Sequence, residues 1–293
     1  MKRSRKILCI ILGAIVLFCV VTYVVTPLVI VHPSYNKAAA EELALIEMEE
    51  LFAEKRPLNI PLVEDIRIRS HQGDLYGYRL HRQENTYTGR RDLLLYFGGY
   101  DEDAATAALR FLSQMTDSSV FPDIDVAVID WPGYGVSEGK AKDNAIREAS
   151  LSIFRYFRAQ ENVGKIFVMG YSFGTGPASY TASGCDEDGL ILLAPYESIY
   201  DLYNSVTPVF YGPMRWLISF QMDTGVYAET IDCRPLLIAS RSDQRVPYKA
   251  SRSLENRFTA GCEFVTVEDI SHGDLISAPS VWQEISKYLE EMR

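Results

Sequence analysis

The sequence predicts an α/β domain whose central sheet is mostly parallel and is covered by helices on both faces. Beyond residue 61, short apolar runs alternate with segments of helical periodicity, which is typical of strands buried between two helix layers. A charge-free apolar run, Ile7 to Val31, precedes this alternation. A G-Y-S-F-G pentapeptide at Gly170–Gly174 directly follows one apolar run and has the form of a strand, a sharp turn and a helix start.

Composition excludes one class of partner. The chain has 293 residues, of which 47% are hydrophobic and 23% charged, and its formal net charge is -10. These values are ordinary for a globular domain with a large core. Because an acidic protein repels phosphate backbones, we expect no nucleic-acid partner.

The five cysteines and four histidines are not spaced as metal ligands. No C-x-x-C pair and no H-E-x-x-H motif occurs, so we expect neither a metal nor a cofactor. At most one disulfide could form among Cys185, Cys233 and Cys262, and free thiols are the favoured interpretation.

The N-terminus predicts a membrane anchor. Residues 1–6 form a basic tail, and residues 7–31 suffice for a helix across a bilayer, which needs about 20 apolar residues. A cleaved signal peptide is the alternative, but the small residues 38–40 lie well beyond the apolar run. We therefore predict an uncleaved single-pass signal anchor. Its N-terminus would be cytoplasmic and the rest of the chain extracytoplasmic (periplasmic, extracellular or lumenal), since basic tails stay inside.

A juxtamembrane linker over residues 32–61 follows, and residues 36–56 within it are predicted to form an amphipathic helix. The apolar residues with helical spacing are Ala44, Leu45, Met48, Leu51 and Phe52. This helix is either a stalk or an element packed on the main domain. Pro57 and Pro61 mark the start of that domain, residues 62–293.

The elements of the main domain follow in order. Strands are predicted over residues 63–70, 74–82, 92–97, 125–130, 165–169, 190–194, 235–240 and 264–268. Helices are predicted over residues 104–115, 143–159 and 281–292, and from the pentapeptide to Ser183. The first two strands form an antiparallel hairpin, and the later strands, separated by helices, are parallel.

Residues 196–231 interrupt the alternation of strands and helices. The segment is rich in aromatic residues, and Pro208 and Pro213 prevent a long helix. An ordinary connection is the alternative, but the length and the aromatic content favour a small lid with an apolar inner face.

Ser172 is the candidate nucleophile. The glycines on either side allow a strained turn, so that the serine hydroxyl projects beside the free N–H groups of the next helix. The pentapeptide alone could equally be a glycine-rich turn with a capping serine, because short motifs match by chance. Whether Ser172 is a nucleophile or a capping serine therefore depends on whether the chain also supplies a base and an acid to activate it.

His272 is the candidate base and Asp243 the candidate acid. Each lies just after a predicted strand, and ligands bind at the ends of such strands in open parallel sheets. The chain order Ser, Asp, His is also the order found where a nucleophilic serine lies on a turn between a strand and a helix. Asp269 and Asp274 could compete as the partner of His272. Asp223 and Asp232 are weaker rivals, because they precede the strand.

Two backbone N–H groups are expected to stabilise the oxyanion. One belongs to Phe173, the residue after the nucleophile, and we assign the other to Tyr100 in the loop after the third strand. The residues predicted to contact substrate are Gly98, Gly99, Tyr171 and Tyr196.

Six motifs in order cover roughly residues 62–293: Tyr96–Gly99, Asp130–Gly139, Gly170–Gly174, Ala194–Ser198, Ser242–Pro247 and Ser271–Gly273. In them the chain resembles the α/β-hydrolases, and in particular the membrane-anchored esterases, lysophospholipases and acyl-thioesterases. Family members often carry His-Gly-Asn where this chain has Gly98-Gly99-Tyr100.

The resemblance implies an α/β-hydrolase fold and a serine hydrolase that cleaves esters or thioesters of an acyl, lipid-like substrate through Ser172, His272 and Asp243. One alternative is an amidase resembling the serine aminopeptidases. Another is a binding or scaffold protein on the same fold that has lost catalysis, because a fold does not fix a function.

Overall fold

A computed structural model describes residues 2–30, 33–52, 61–82, 89–117, 121–206 and 208–293 of the chain. The strands are β1 (Pro61–Ser70), β2 (Gly73–Arg82), β3 (Arg91–Phe97), β4 (Asp125–Ile129), β5 (Val163–Tyr171), β6 (Gly189–Leu193), β7 (Leu236–Ser240) and β8 (Glu263–Val267). The α-helices are α1 (Lys2–Ile30), α2 (Lys37–Phe52), α3 (Ala104–Asp117), α4 (Asp143–Arg158), α5 (Thr175–Ala182), α6 (Ile199–Val206), α7 (Thr224–Ala228), α8 (Tyr248–Leu254) and α9 (Pro279–Met292). Residues 31, 32 and 53–60 of the predicted anchor and linker lie outside the described residues.

The strands form one sheet in the order β1-β2-β4-β3-β5-β6-β7-β8. β2 pairs antiparallel with both β1 and β4, and every pairing among the remaining strands is parallel. β4, β6 and β7 are buried along their whole length, as expected for strands covered on both faces. The predicted fold class is confirmed.

The register gathers the candidate site at one edge of the sheet. Phe97 at the end of β3 is paired with Gly170 near the end of β5, so the loops that follow these strands are neighbours. Further along the sheet, Ser240 at the end of β7 is paired with Val267 at the end of β8. The loops that carry Ser172, Asp243 and His272 therefore leave the same edge, where open α/β sheets bind ligands.

Helix α1 is long and apolar. Its segment Arg5–Thr26 has a mean hydropathy of 3.0, and by length and composition it could cross a membrane or serve as a signal sequence. Its large apolar side chains, from Ile7 to Val25, are exposed. An apolar surface of this kind is stable in lipid and unfavourable in water.

Helix α2 packs on the main domain. Of the residues predicted for its apolar face, Ala44 and Leu45 are exposed, and the side chains of Met48, Leu51 and Phe52 lie outside those that the structure describes. The structure buries Ala39 and Leu43 and leaves the side chain of Leu45 61% exposed. The buried residues are four apart and therefore share one face of the helix. That face meets α3 and β1, which the spacing within α2 could not reveal.

Residues 196–231 contain α6, a 3₁₀ turn over Gly212–Leu217, and α7. Phe220 from this segment packs on Phe173 beside the pentapeptide, with ring centroids 5.6 Å apart. That the segment acts as a lid stays a prediction.

Candidate active site

Ser172 occupies a strained turn between β5 and α5. Its φ is 53°, in a region that non-glycine residues seldom adopt, and it begins a 3₁₀ turn that runs to Gly174. Such conformations persist only where the surrounding structure enforces them. Thr175 contributes by donating its hydroxyl hydrogen to the Ser172 carbonyl oxygen at 2.7 Å.

The two glycines of the pentapeptide allow the backbone to pass close to its neighbours. A methyl group at Gly170 would lie 2.6 Å from the Gly174 carbonyl oxygen. One at Gly174 would lie 2.0 Å from the carbonyl oxygen of Phe97 and 2.5 Å from that of Gly98. Both distances at Gly174 are far below van der Waals contact, so the turn after β5 is pressed against the loop after β3.

Asp243 and His272 meet across the ends of β7 and β8. Nδ1 of His272 lies 2.7 Å from Oδ2 of Asp243, and both side chains are buried. The other carboxylate oxygen, Oδ1, accepts hydrogen bonds from the N–H groups of Arg245 and Val246, each at 2.8 Å. The carboxylate is thus fixed, and its free oxygen is aimed at the imidazole.

Tyr171 joins the histidine to the turn that carries Ser172. Its ring stacks on the His272 ring, with centroids 5.1 Å apart and planes inclined by 28°. Its hydroxyl donates a 2.6 Å hydrogen bond to the His272 carbonyl oxygen. Because Tyr171 directly precedes Ser172, these two contacts hold the histidine loop beside the serine.

The rival carboxylates are engaged elsewhere or exposed. Asp274 accepts the hydroxyl of Ser271, and Asp223 accepts the N–H of Ile199 at 3.2 Å. Asp269 and Asp232 are exposed. Of the five candidate acids, Asp243 is the one that the structure brings to His272.

The loop Gly98–Tyr100 borders the turn of Ser172 on its other side. Tyr134 donates its hydroxyl hydrogen to the Tyr100 carbonyl oxygen at 2.6 Å. A methyl group at Gly99 would approach the Tyr171 ring only to 3.8 Å, so that position has room. The loop therefore lies beside Gly174 and the Tyr171 ring, and its role in binding an oxyanion stays a prediction.

Against this loop lies a partly buried polar cluster that the sequence did not predict. Tyr96 donates to Oε2 of Glu102 at 2.7 Å, and Arg110 pairs with the other oxygen of that carboxylate. Burial, followed by the Glu102 carboxylate, raises the pKa of Tyr96 well above its ordinary value. A methyl group at Gly98 would lie 2.6 Å from Glu102 Oε2, so the cluster abuts the loop directly. No local motif relates these residues, and no sequence signal would have found them.

Tyr196 lies behind the turn. It is fully buried, and its hydroxyl donates to the Phe173 carbonyl oxygen at 3.3 Å. A methyl group at Gly176 would lie 2.3 Å from that hydroxyl. The structure places Tyr196 against the backbone of the turn, and direct contact between Tyr196 and substrate stays a prediction.

The cysteines are free thiols, as favoured by the sequence. Within the described ranges, no group of three or more His, Cys, Asp or Glu side chains is arranged to hold a metal ion. A hydroxyl at a strained turn and a histidine oriented by a carboxylate are groups that can take part in nucleophilic chemistry.

Comparison with protein families identifies the same architecture. A family described as "alpha/beta hydrolase fold" matches residues 113–230, and one described as "TAP-like protein" matches residues 218–293. Among solved structures, the Pyrococcus furiosus esterase Pf2001 superposes with a TM-score of 0.63 at 16% identity, over 89% of this chain and 96% of that one. The acetyl xylan esterase from Paenibacillus sp. R4 also gives 0.63, at 14% identity over 91% and 98%. At these identities the likeness shows the fold.

Curated relatives match a shorter part of the chain. Protein ABHD12B of Homo sapiens is 23% identical over 117 residues, which are 38% of this chain and 31% of that protein. The lysophosphatidylserine lipase ABHD12 of Bos taurus is 25% identical over 149 residues, 45% of this chain and 37% of the relative. The matches thus span about a third of the length of these relatives.

Proposed function

The chain belongs to the α/β-hydrolase superfamily, and on that premise we propose that it is a membrane-anchored serine hydrolase that cleaves carboxylic esters or thioesters. The observation that carries the proposal is the 2.7 Å contact between His272 Nδ1 and Asp243 Oδ2, combined with the contacts of Tyr171 with His272 and the φ of 53° at Ser172, the residue after Tyr171. The proposed nucleophile, acid and base, Ser172, Asp243 and His272, follow in the chain order that this superfamily uses.

In the proposed reaction, the hydroxyl of Ser172 attacks the acyl carbonyl while Nε2 of His272 takes its proton. Asp243 holds the imidazole in the tautomer that carries its hydrogen on Nδ1, and it stabilises the imidazolium that forms. His272 then returns the proton to the departing alcohol or thiol, which leaves the acyl group on Ser172. Water, deprotonated by His272, attacks the acyl-enzyme. The bond from the acyl carbon to the Ser172 oxygen then breaks, His272 gives the proton to that oxygen, and the carboxylic acid is released.

The backbone N–H groups of Phe173 and Tyr100 are the proposed donors to the oxyanion. The close approach between Gly174 and the carbonyl oxygen of Gly98 supports this, because it holds the two donor-bearing segments together. Loss of one such donor typically lowers turnover by about 10²–10³-fold.

The substrate that we propose is an acyl ester with an apolar, lipid-like chain. A relative named as a lysophosphatidylserine lipase and fold neighbours named as esterases support an ester bond as the target. The apolar helix α1 supports a membrane location, where such esters concentrate. We further propose that α1 is retained as an anchor, with the basic residues 1–6 in the cytoplasm and the hydrolase domain on the opposite side.

A fluorophosphonate probe tests the nucleophile, because it labels serines activated by a neighbouring base. The wild type should be labelled and S172A should not. S183A is the matched control, since Ser183 lies at the end of α5 and its hydroxyl donates to the carbonyl oxygen of the nearby Tyr180. Labelling that survives in S172A would remove Ser172 from its role. Turnover of p-nitrophenyl esters, acyl-thioesters and lysolipids, with S172A as the blank, would then define the bond cleaved.

A further inference from the structure

The C-terminal part of α1 is hydrogen-bonded to α6 and to the segment that follows it. Thr26 is buried and donates its hydroxyl hydrogen to the Leu217 carbonyl oxygen at 3.3 Å. Tyr203 donates to the Thr26 carbonyl oxygen at 2.6 Å, and Ser219 donates to that of Tyr23 at 3.2 Å. Three hydrogen bonds thus join the last turns of the apolar helix to residues 203–219.

An exposed apolar surface lies beside this junction. We call it the aromatic tip and define it by Pro208, Val209, Tyr211, Pro213 and Trp216. Trp216 is 80% exposed, Tyr211 58% and Val209 48%. Isolated exposed apolar residues are common, but a cluster with tryptophan and tyrosine marks an interaction surface.

We propose that the aromatic tip inserts into the interfacial layer of the bilayer leaflet at the outer end of α1. This inference rests on the proposed anchoring of α1 and extends it to the catalytic domain. Trp216 is next in sequence to Leu217, which bonds to Thr26 at the end of the apolar segment, so the tip lies at the level where that helix leaves the lipid. Tyrosine and tryptophan concentrate at this level, because their rings are apolar and their polar groups stay hydrated.

The charge of the segment agrees with a lipid surface. Residues 208–217 contain no Asp or Glu and one cation, Arg215, which is exposed and stacks over the Tyr200 ring at 4.9 Å. A guanidinium at this depth can bind the phosphates of lipid headgroups. No contact in the described residues points to a folded protein partner. The proposed membrane helix α1, by contrast, is hydrogen-bonded to this same segment.

Insertion would also place the lipid surface close to the candidate site. Phe220, three residues beyond Leu217, packs on Phe173, the proposed oxyanion donor, and both rings are buried. An acyl chain in the leaflet would therefore meet the domain on the side of the candidate site. A water-soluble ester would gain nothing from this arrangement.

Tryptophan fluorescence tests the contact without any need for catalysis. The chain has three tryptophans, and Trp131 and Trp282 are buried in the domain. The full chain, with retention of α1 verified by intact mass, is reconstituted into phosphatidylcholine vesicles whose acyl chains are brominated near the headgroup. We expect weaker emission than in unbrominated vesicles and no such loss in W216F. Equal emission of the wild type in both kinds of vesicle overturns the inference, and so does quenching by brominated lipid that persists in W216F. Quenching of Trp216 by aqueous iodide but not by brominated lipid also overturns it.

Turnover gives a second readout. In the triple variant V209S/Y211S/W216S, we expect hydrolysis of a long-chain ester embedded in vesicles to fall about tenfold, while turnover of soluble p-nitrophenyl acetate stays unchanged. V226S is the matched control, because Val226 is an exposed valine on α7 outside the tip. Equal loss on both substrates, or no loss on either, contradicts the inference. Absence of fluorophosphonate labelling would instead contradict the proposed chemistry and leave the fluorescence result standing.

Discussion

Nδ1 of His272 lies 2.7 Å from Oδ2 of Asp243, while the second oxygen of the same carboxylate accepts two backbone N–H groups. These three contacts together fix the orientation of the carboxylate relative to the ring. Both side chains are buried, so water does not compete for this contact. The pair is held ready to orient one tautomer of the histidine, which is what a general base beside a serine requires.

Replacement of Asp243 by asparagine tests this arrangement. In D243N the amide can donate to Nδ1, which favours the tautomer whose Nε2 already carries a hydrogen and cannot accept the proton of Ser172. We expect kcat on a p-nitrophenyl ester to fall by about 10⁴-fold with little change in KM. D274N is the control, since Asp274 is near His272 in sequence but is bonded to Ser271. Nearly full turnover in D243N, or an equal loss in D274N, would contradict the proposed role of Asp243.

Tyr171 gives a second prediction, because its hydroxyl and its ring contact different parts of His272. Y171F keeps the stacked ring and leaves the His272 carbonyl oxygen without its 2.6 Å donor. We expect the free energy of unfolding to fall by about 1–3 kcal/mol. We also expect kcat to fall while KM is retained, since the histidine loop loosens.

Y248F is the matched control for Y171F. The Tyr248 hydroxyl forms a 2.8 Å hydrogen bond with the Thr266 hydroxyl, and neither residue belongs to the turn of Ser172. It should alter stability by a similar amount and leave kcat unchanged. If Y248F lowers kcat as much as Y171F does, the effect of Tyr171 is one of general stability and not of histidine placement.

The sequence could predict the parts of the site that depend on strand order. Ser172, Asp243 and His272 each follow a strand of the parallel part of the sheet, and the ends of parallel strands gather at one edge. Their approach therefore follows from the order of apolar runs along the chain, together with the turn chemistry of the pentapeptide.

Contacts between distant surfaces could not be predicted in this way. Thr26 and Leu217 are separated by 191 positions, and no periodicity in either segment refers to the other. The buried face of α2 was missed for the same reason, since it depends on α3 and β1 and not on the spacing within α2. The cluster of Tyr96, Glu102 and Arg110 forms only once β3 and α3 have packed.

Gly174 gives a prediction about stability. In G174A, the new methyl group would lie 2.0 Å from the Phe97 carbonyl oxygen, which is backbone and cannot move aside alone. We expect the free energy of unfolding to fall by about 3 kcal/mol or more, and activity to be lost as the loop Gly98–Tyr100 shifts.

G184A is the matched control, because its methyl group would come no closer than 3.7 Å to Leu151. Denaturant unfolding of the two variants in the same detergent measures the difference. Similar midpoints for G174A and G184A would contradict the tight approach between the turn and the loop after β3.

Asp130 predicts a pH dependence of stability. Burial raises the pKa of its carboxyl from 3.8 to about 7, against the opposing effect of the hydrogen bond that it accepts from the Ala104 N–H at 2.7 Å. The folded state therefore keeps a proton that the unfolded state releases near its ordinary pKa. The stabilisation is complete below about pH 4 and is lost as the pH rises to about 7, by an amount on the order of 4 kcal/mol.

Asparagine at this position is neutral at every pH. D130N should therefore remove the contribution of Asp130 to the slope of the free energy of unfolding against pH, while its amide oxygen can still accept the Ala104 N–H. Denaturant unfolding at several values between about pH 4 and about pH 8 should show a steeper decline for the wild type than for D130N. D123N is the control, because Asp123 is exposed and paired with Arg91 at the surface. Carboxylates that do not interact with Asp130 contribute to both chains equally, so the difference between the two slopes reports Asp130 together with its repulsion of the neighbouring Asp103. Parallel slopes for the wild type and D130N would mean that Asp130 is already ionised in the folded protein, with its two backbone donors outweighing the effect of burial.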